Sequence, residues 1–205
     1  MSEIIHLLII EDIEAIASSL EEFFTQQSDI KLLGVQTSIE VMNQSDVGNP
    51  DVILMDIMLP GISGIDGVKH ALKKWPDVKV VMYSVLEESE AIYASLQQGA
   101  LAYITKDMSL SMAKEAIMTV NNGGSFMNAA IARKVVNYFQ KASSIREKLT
   151  DKEWAVAVGI KNGLSYKMIA AEQELSIDGV RFHIQRIYRK LNINSRGELT
   201  SLMVS

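Results

Sequence analysis

Five short apolar runs mark the first 105 residues, at 4–10, 31–36, 52–55, 78–83 and 101–105. They are close to unbroken, the pattern of strands covered on both faces rather than one. Between them, apolar positions recur at helical spacing over 13–27, 64–74, 88–98 and 110–121, with capping and charged residues at the ends. Strand alternating with helix predicts βαβ units and a parallel sheet: a doubly wound α/β fold with five strands in the order 2-1-3-4-5. After residue 122 the strand pattern stops. Residues 128–144 read as one helix capped by Asn128, with Ile131, Val135, Tyr138 and Phe139 on a side expected to pack, and Ser143–Ser144 as its expected flexible point. "LTDKEW" then places Thr150 as an N-cap with Glu153 three residues on, a capping box. Gly163 ends that helix, Ser165 caps a second, Ser176 caps a third, and a last helix covers about 196–203. Two capped helices separated by three or four residues have helix-turn-helix geometry. The expected domains are 1–122, a linker with a helix at 123–148, and an all-α domain at 149–205.

Polar residues at the strand ends change the picture. In open parallel sheets, ligands bind beyond the carboxyl ends of the strands. Glu11 and Asp12 follow the first strand, Asp56 follows the third, Ser84 ends the fourth, and Lys106 lies just past the fifth. Strands one and three flank the switch point of this order, so the three carboxylates should meet. Together they repel unless a cation joins them. Oxygen ligands with no cysteine and no histidine pair point to a hard ion, Mg²⁺, rather than zinc. Lys106 adds a positive charge and Ser84 a hydroxyl. The set suits an anion held through a metal, and phosphoryl transfer onto Asp56. Singly, each residue has a plainer reading: Asp12 as a helix cap, Lys106 as a solvated charge, Ser84 as an ordinary strand end. Their joint occurrence at four strand ends favours the pocket. Asp51, Asp66 and Asp107 fall outside it and read as turn or cap residues.

Composition narrows the partners. The chain has no cysteine, which excludes disulfides, thiolate metal sites and cysteine nucleophiles. The run "IIHLLII" is too short for a signal peptide or a membrane span, so a soluble, cytoplasmic protein without membrane partners is expected. Residues 1–122 hold 7 basic and 18 acidic side chains, net −11, and residues 123–205 hold 13 and 7, net +6. Opposite signs suggest two domains with different partners, a basic one suited to nucleic acid. Mutual attraction of the halves explains the charges equally well. The third helix of the last domain weighs more. Val180, Ile184, Ile187 and Leu191 form one apolar stripe, while Arg181, Gln185 and Arg189 lie on another face with Phe182 and Arg186 beside them. Guanidinium and amide groups bind phosphates and base edges in a major groove. The rival is a solvated basic helix lying against the acidic domain.

"LLIIEDIE", "DVILMDIMLPGISG", "VVMYS" and "GALAYITKD" resemble the receiver domain of two-component response regulators, in order and spacing over about the first 120 residues. The resemblance implies that Asp56 accepts a phosphoryl group from a sensor histidine kinase. It implies that Asp12 and Asp56 ligate Mg²⁺ directly, that Glu11 acts through water, and that the carbonyl of Met58 completes the site. Ser84 and Tyr103 match the family's switch pair, in which the hydroxyl turns to the phosphoryl group and the ring moves inward; Lys106 matches its lysine. The last domain resembles the LuxR-type helix-turn-helix of NarL/FixJ regulators at Leu149-Thr150, Glu153, Gly163-Leu164-Ser165, Lys167, Ile169-Ala170, Ser176, Val180-Arg181, His183-Ile184, Arg189-Lys190-Leu191 and Ser195-Arg196. By position, Arg181, Phe182 and Gln185 would face the groove of double-stranded DNA, Lys167 and Arg196 would contact the backbone, and His183 would be structural.

The chain departs from both patterns. Val85 stands where many receivers have Ala, which would slow phosphodonor entry or water attack, and Glu11 replaces the commoner Asp. Gly179 replaces a Thr or Ser, Gln173 an apolar residue, and Ala157 and Gly159 shrink the first helix's core face, which predicts a less stable or repacked domain. The expected function is a response regulator whose phosphorylation at Asp56 controls homodimerisation, DNA binding and transcription. The alternative is a protein-interaction module that no longer binds DNA specifically, with Gly179 and Gln173 as its support. An enzyme is not expected: a hydrolase turning over through Asp56 would want a second acid two residues on, where Met58 stands.

Overall fold

The apolar runs form strands β1 (Ile5–Ile10), β2 (Ile30–Gln36), β3 (Val52–Met55), β4 (Lys79–Ser84) and β5 (Ala102–Thr105) in a computed structural model that describes residues 4–204, without the side chains of 141–144 and 204. All pair in parallel in the expected order, and a two-residue strand, β6 (Phe126–Met127), adds a sixth position beside β5. β1, β3, β4 and β5 are close to unbroken apolar runs because they are buried, whereas the edge strand β2 is mostly half-buried. On one side Leu7, Ile9, Leu54 and Val81 pack with Leu20 and Phe24 of α1 (Glu14–Thr25) and with Ala116, Ile117 and Val120 of α5 (Leu110–Asn121). Helices α3 (Gly64–Lys74) and α4 (Ser89–Gln97) complete the expected set.

One helix was not foreseen, α2 (Ile39–Gln44), only six residues long. Its N-cap Ser38 accepts from the Val41 N–H. Its other end is held from a distance: Lys74 Nζ donates to the carbonyls of Met42, Asn43 and Ser45 at 2.7, 3.1 and 2.6 Å. That ammonium satisfies orphan carbonyls and opposes the helix dipole, which a short helix needs.

The chain divides into two compact units between Lys134 and Val135, within the expected linker segment. Helix α6 (Ala129–Lys148) crosses the division, with Asn128 Oδ1 accepting from the Ile131 N–H at 2.8 Å. Its helical span includes Ser143 and Ser144, whose side chains lie outside the described residues. Of the side expected to pack, Ile131 is buried, Val135 and Tyr138 are half-buried, and Phe139 is exposed.

The second unit holds α7 (Asp151–Lys161), α8 (Tyr166–Glu172), α9 (Ile177–Leu191) and α10 (Arg196–Val204). The capping box of Thr150 and Glu153 forms, Ser165 caps α8 and Ser176 caps α9. Gly163, at φ +76°, makes the turn after α7. Val156, Ile160, Ile169, Val180, Ile184, Ile187 and Leu199 are the core. The expected shortfall at Gly159 is corrected here: a Cβ there would stand 2.8 Å from Ile169 Cγ1, so the missing side chain is the space α8 occupies. Gln173 is not a polar gap in the core either. It is the half-buried C-cap of α8, and its carbonyl accepts from Lys152 Nζ at 3.1 Å.

Candidate functional site

β1 and β3 are neighbours, and the Asp56 N–H donates to the Ile10 carbonyl at 2.9 Å, which carries the ladder one residue past β3. That pairing brings Glu11, Asp12 and Asp56 together, with one carboxylate oxygen of each inside 4.8 Å of the others. Glu11 and Asp56 are 1% and 3% exposed, and Asp12 opens to solvent. Asp12 does not cap α1, whose N-cap is Ile13 with no side-chain bond. Its plainer reading therefore fails, and its carboxylate is left for the pocket.

Lys106 is not a solvated loop charge. Its side chain is 6% exposed, and Nζ donates to Asp56 Oδ2 at 2.9 Å. Glu11 Oε2 lies 2.7 Å from the same ammonium, an ion pair without hydrogen-bond alignment, and that oxygen is buried with no hydrogen-bond partner. Burial pushes the Glu11 carboxyl up; Lys106 opposes this, the Asp56 charge adds to it, and the net direction is up. Burial alone would lower Lys106, but Glu11 and Asp56 outweigh it and raise it. One ammonium against three carboxylates leaves an acidic pocket with an excess of negative charge. This donor set fits a hard divalent cation bound through oxygen.

Asp56 Oδ1 also accepts from the Ile57 N–H at 2.6 Å. The loop beyond is drawn tight: a Cβ on Gly64 would sit 1.7 Å from the Asp56 carbonyl oxygen, so only glycine fits. Met58, two residues past Asp56, and Val85, after Ser84, both expose their side chains. Ser84 is fully buried, and its Oγ accepts from the Leu86 N–H at 3.2 Å. Tyr103 is also fully buried, and its hydroxyl donates to the Leu86 carbonyl at 2.7 Å. Burial pushes that phenol well above its usual range. The two residues of the expected pair thus meet on one backbone unit, Leu86. The next residue, Glu87, pairs through Oε2 with Lys134 Nζ of α6 at 2.6 Å. Leu86, Gly64 and the Glu87–Lys134 pair were missed in the sequence. The first two act through backbone, which no side-chain pattern reveals.

In the second unit, Arg181, Phe182, Gln185, Arg186 and Arg189 all lie on the exposed face of α9, opposite buried Val180, Ile184 and Ile187. Arg181 donates to Asp178 Oδ1 at 3.0 Å. Lys167 is exposed on α8, and Arg196, at the start of α10, donates to the Leu164 carbonyl at 3.1 Å. The cap residue Glu153 has a second task. It is 1% exposed, with Lys190 Nζ 2.5 Å from Oε2 and Arg186 Nε 3.2 Å from Oε1. Burial pushes this carboxyl up, but Lys190 and the Thr150 N–H outweigh it and hold it at about 2, below its ordinary 4.5. Glu153 therefore ties the N-terminus of α7 to the far half of α9.

The comparisons agree with this two-part build. Residues 7–118 match the family model described as response regulator receiver domain, and residues 147–203 match bacterial regulatory proteins of the luxR family. The response regulator protein VraR of Staphylococcus saprophyticus is 28% identical over 193 residues, 94% of this chain and 92% of that protein. RcsB from Salmonella enterica serovar Typhimurium, solved bound to promoter rprA in the presence of phosphomimetic BeF3−, has the same fold, with a TM-score of 0.63, 17% identity and coverage of 97% of this chain and 98% of that one. A structure of two RcsB dimers bound to two parallel DNAs gives a TM-score of 0.63 at 17% identity over 98% of each chain. No helix among the described residues is long and apolar enough to cross a membrane. The chain belongs to the response regulator family, with a receiver domain followed by a luxR-type regulatory domain.

Proposed function

We propose that Asp56 accepts a phosphoryl group from a sensor histidine kinase and that this controls dimerisation, DNA binding and transcription. The observation that carries the reading is the buried Asp56 carboxylate, held by Lys106 with two further carboxylates inside 4.8 Å. Mg²⁺ would be held by Asp12 and Asp56, by Glu11 through water and by the Met58 carbonyl; bound, it neutralises charge on the incoming phosphoryl oxygens. Lys106 would pair with the same oxygens once Asp56 carries the acyl phosphate. The acyl phosphate carries about 1.5 to 2 negative charges where the carboxylate carried one. Ser84 would turn its hydroxyl towards that group and release the Leu86 N–H. Tyr103 already lies inward, so Leu86 is the unit both residues act on, and Glu87 carries a shift of that loop to Lys134 and α6.

In the second unit α9 would enter the major groove. Arg181, Phe182, Gln185 and Arg189 would face base edges, and Lys167 and Arg196 would contact phosphates. Support comes from the exposed basic face and from RcsB, a protein of the same fold solved on a promoter and as dimers on DNA. Gly179 keeps the α9 cap, since its N–H donates to Ser176 Oγ at 3.0 Å. Gln173 ends α8 normally, so neither departure favours the interaction-module reading. The cytoplasm, where a kinase and a promoter both meet the chain, is the proposed location.

The test of the phosphoacceptor is intact mass after acetyl phosphate and Mg²⁺. Wild type gains one phosphoryl group and Asp56→Ala gains none. Equal gain in both proteins would remove Asp56 from this role.

A further inference from the structure

Phe182 is the odd residue on the exposed face of α9. At about 100° per residue it points nearly opposite the buried stripe of Val180, Ile184 and Ile187. It is 55% exposed, an aromatic ring on a face otherwise polar, with Arg181, Gln185, Arg186 and Arg189 and with Asp178 paired to Arg181. The ring is also held. The Arg186 guanidinium carbon lies 5.6 Å from its centroid, and Arg186 Nε is 3.2 Å from buried Glu153. The Arg186 cation flanks the ring and limits its motion, and more than half of the Phe182 surface stays open.

In a major groove, one base feature suits such a surface. Thymine carries a C5 methyl group, which apolar side chains contact, while guanine, adenine and cytosine present only donors and acceptors there. Arg181 and Gln185, one turn apart on the same face, supply the polar groups for neighbouring bases. We infer that Phe182 packs on the 5-methyl group of a thymine and makes the protein select thymine at that position, with Arg186 as a positioning residue. This rests on α9 being the groove-entering helix.

Uracil pairs as thymine does and lacks only the methyl, so it isolates the contact. Duplexes retained by the full-length, acetyl-phosphate-treated chain are selected from a randomised library. The tightest one is resynthesised with deoxyuridine replacing thymidine, first throughout and then one position at a time. Wild type should lose about three- to fivefold in affinity for each contacted methyl, the worth of roughly one buried methylene. One position should account for the loss, and Phe182→Ala should bind the thymine and uracil duplexes equally. Arg186→Ala should keep its helical circular dichroism and lose part of the discrimination. Equal wild-type affinity for both duplexes, or undiminished discrimination by Phe182→Ala, would overturn the inference while leaving DNA binding intact. Retention of no duplex by wild type at low salt would overturn both.

Discussion

Lys106 pairs with two buried carboxylates at once, and its removal should be felt before any chemistry. Lys106→Ala leaves Glu11 and Asp56 buried without their counter-charge, and breaking such a pair destabilises by about 3–5 kcal/mol. Urea denaturation followed at Trp75, in a Trp154→Phe background, should show that loss, and Mg²⁺ should restore part of it. An unchanged midpoint would mean that water already solvates the pocket. The acidic residues were legible in the sequence because a carboxylate at the end of an unbroken apolar strand has no core reason to be there. Asp12 was ambiguous, since an aspartate before a helix is also a common cap. Only the bare N-cap at Ile13 decides between the two. Gly64 was not legible, because its constraint is a backbone approach to Asp56.

Glu153 makes a pH prediction. Its carboxyl titrates at about 2 in the fold against an ordinary 4.5, so folding favours the ionised form. Its stabilisation is complete above about pH 5 and fades as pH falls towards 2. Glu153→Gln should lower stability at neutral pH by roughly 1–3 kcal/mol. The gap to wild type should close as pH falls through that window. A gap independent of pH between 5 and 2 would show that the charge is not what binds α7 to α9.

At the scale of elements, the long periodic segments were readable and the short ones were not. The five main strands and the helices with clear caps follow from apolar runs and Ser or Thr signals. α2 and β6 escaped because six and two residues carry too little periodicity, and because α2 is completed by Lys74 from α3. Gly159 shows sequence reasoning giving the wrong sign. Helix propensity and core filling both say that Ala there should stabilise, by about 1 kcal/mol from propensity alone. The 2.8 Å approach of Ile169 says otherwise. Gly159→Ala should destabilise the second unit by about 1–3 kcal/mol, the usual range for overpacking. A raised thermal midpoint for that variant would restore the sequence reading.

For the whole molecule, the question is how Asp56 reaches α9. The proposed path, inside the first unit, follows the contacts from Ser84 and Tyr103 through Leu86 to Glu87 and Lys134. The Glu87–Lys134 pair is partly exposed, and such pairs contribute at most about 1 kcal/mol. Lys134→Ala should therefore change the effect of phosphorylation on DNA affinity by no more than about fivefold. This path was invisible in the sequence, since Glu87 and Lys134 are 47 positions apart and neither lies in a motif. The charge contrast between the two parts was visible, but it left nucleic-acid binding and mutual attraction of the halves equally open.

The most direct test of the account is the affinity of wild type and Asp56→Ala for one selected duplex, at fixed salt, with and without acetyl phosphate and Mg²⁺. Wild type should tighten by about 5- to 150-fold, the usual span of allosteric coupling, and Asp56→Ala should not change. A wild-type affinity indifferent to the phosphodonor, or the same gain in both proteins, would contradict control of α9 by Asp56.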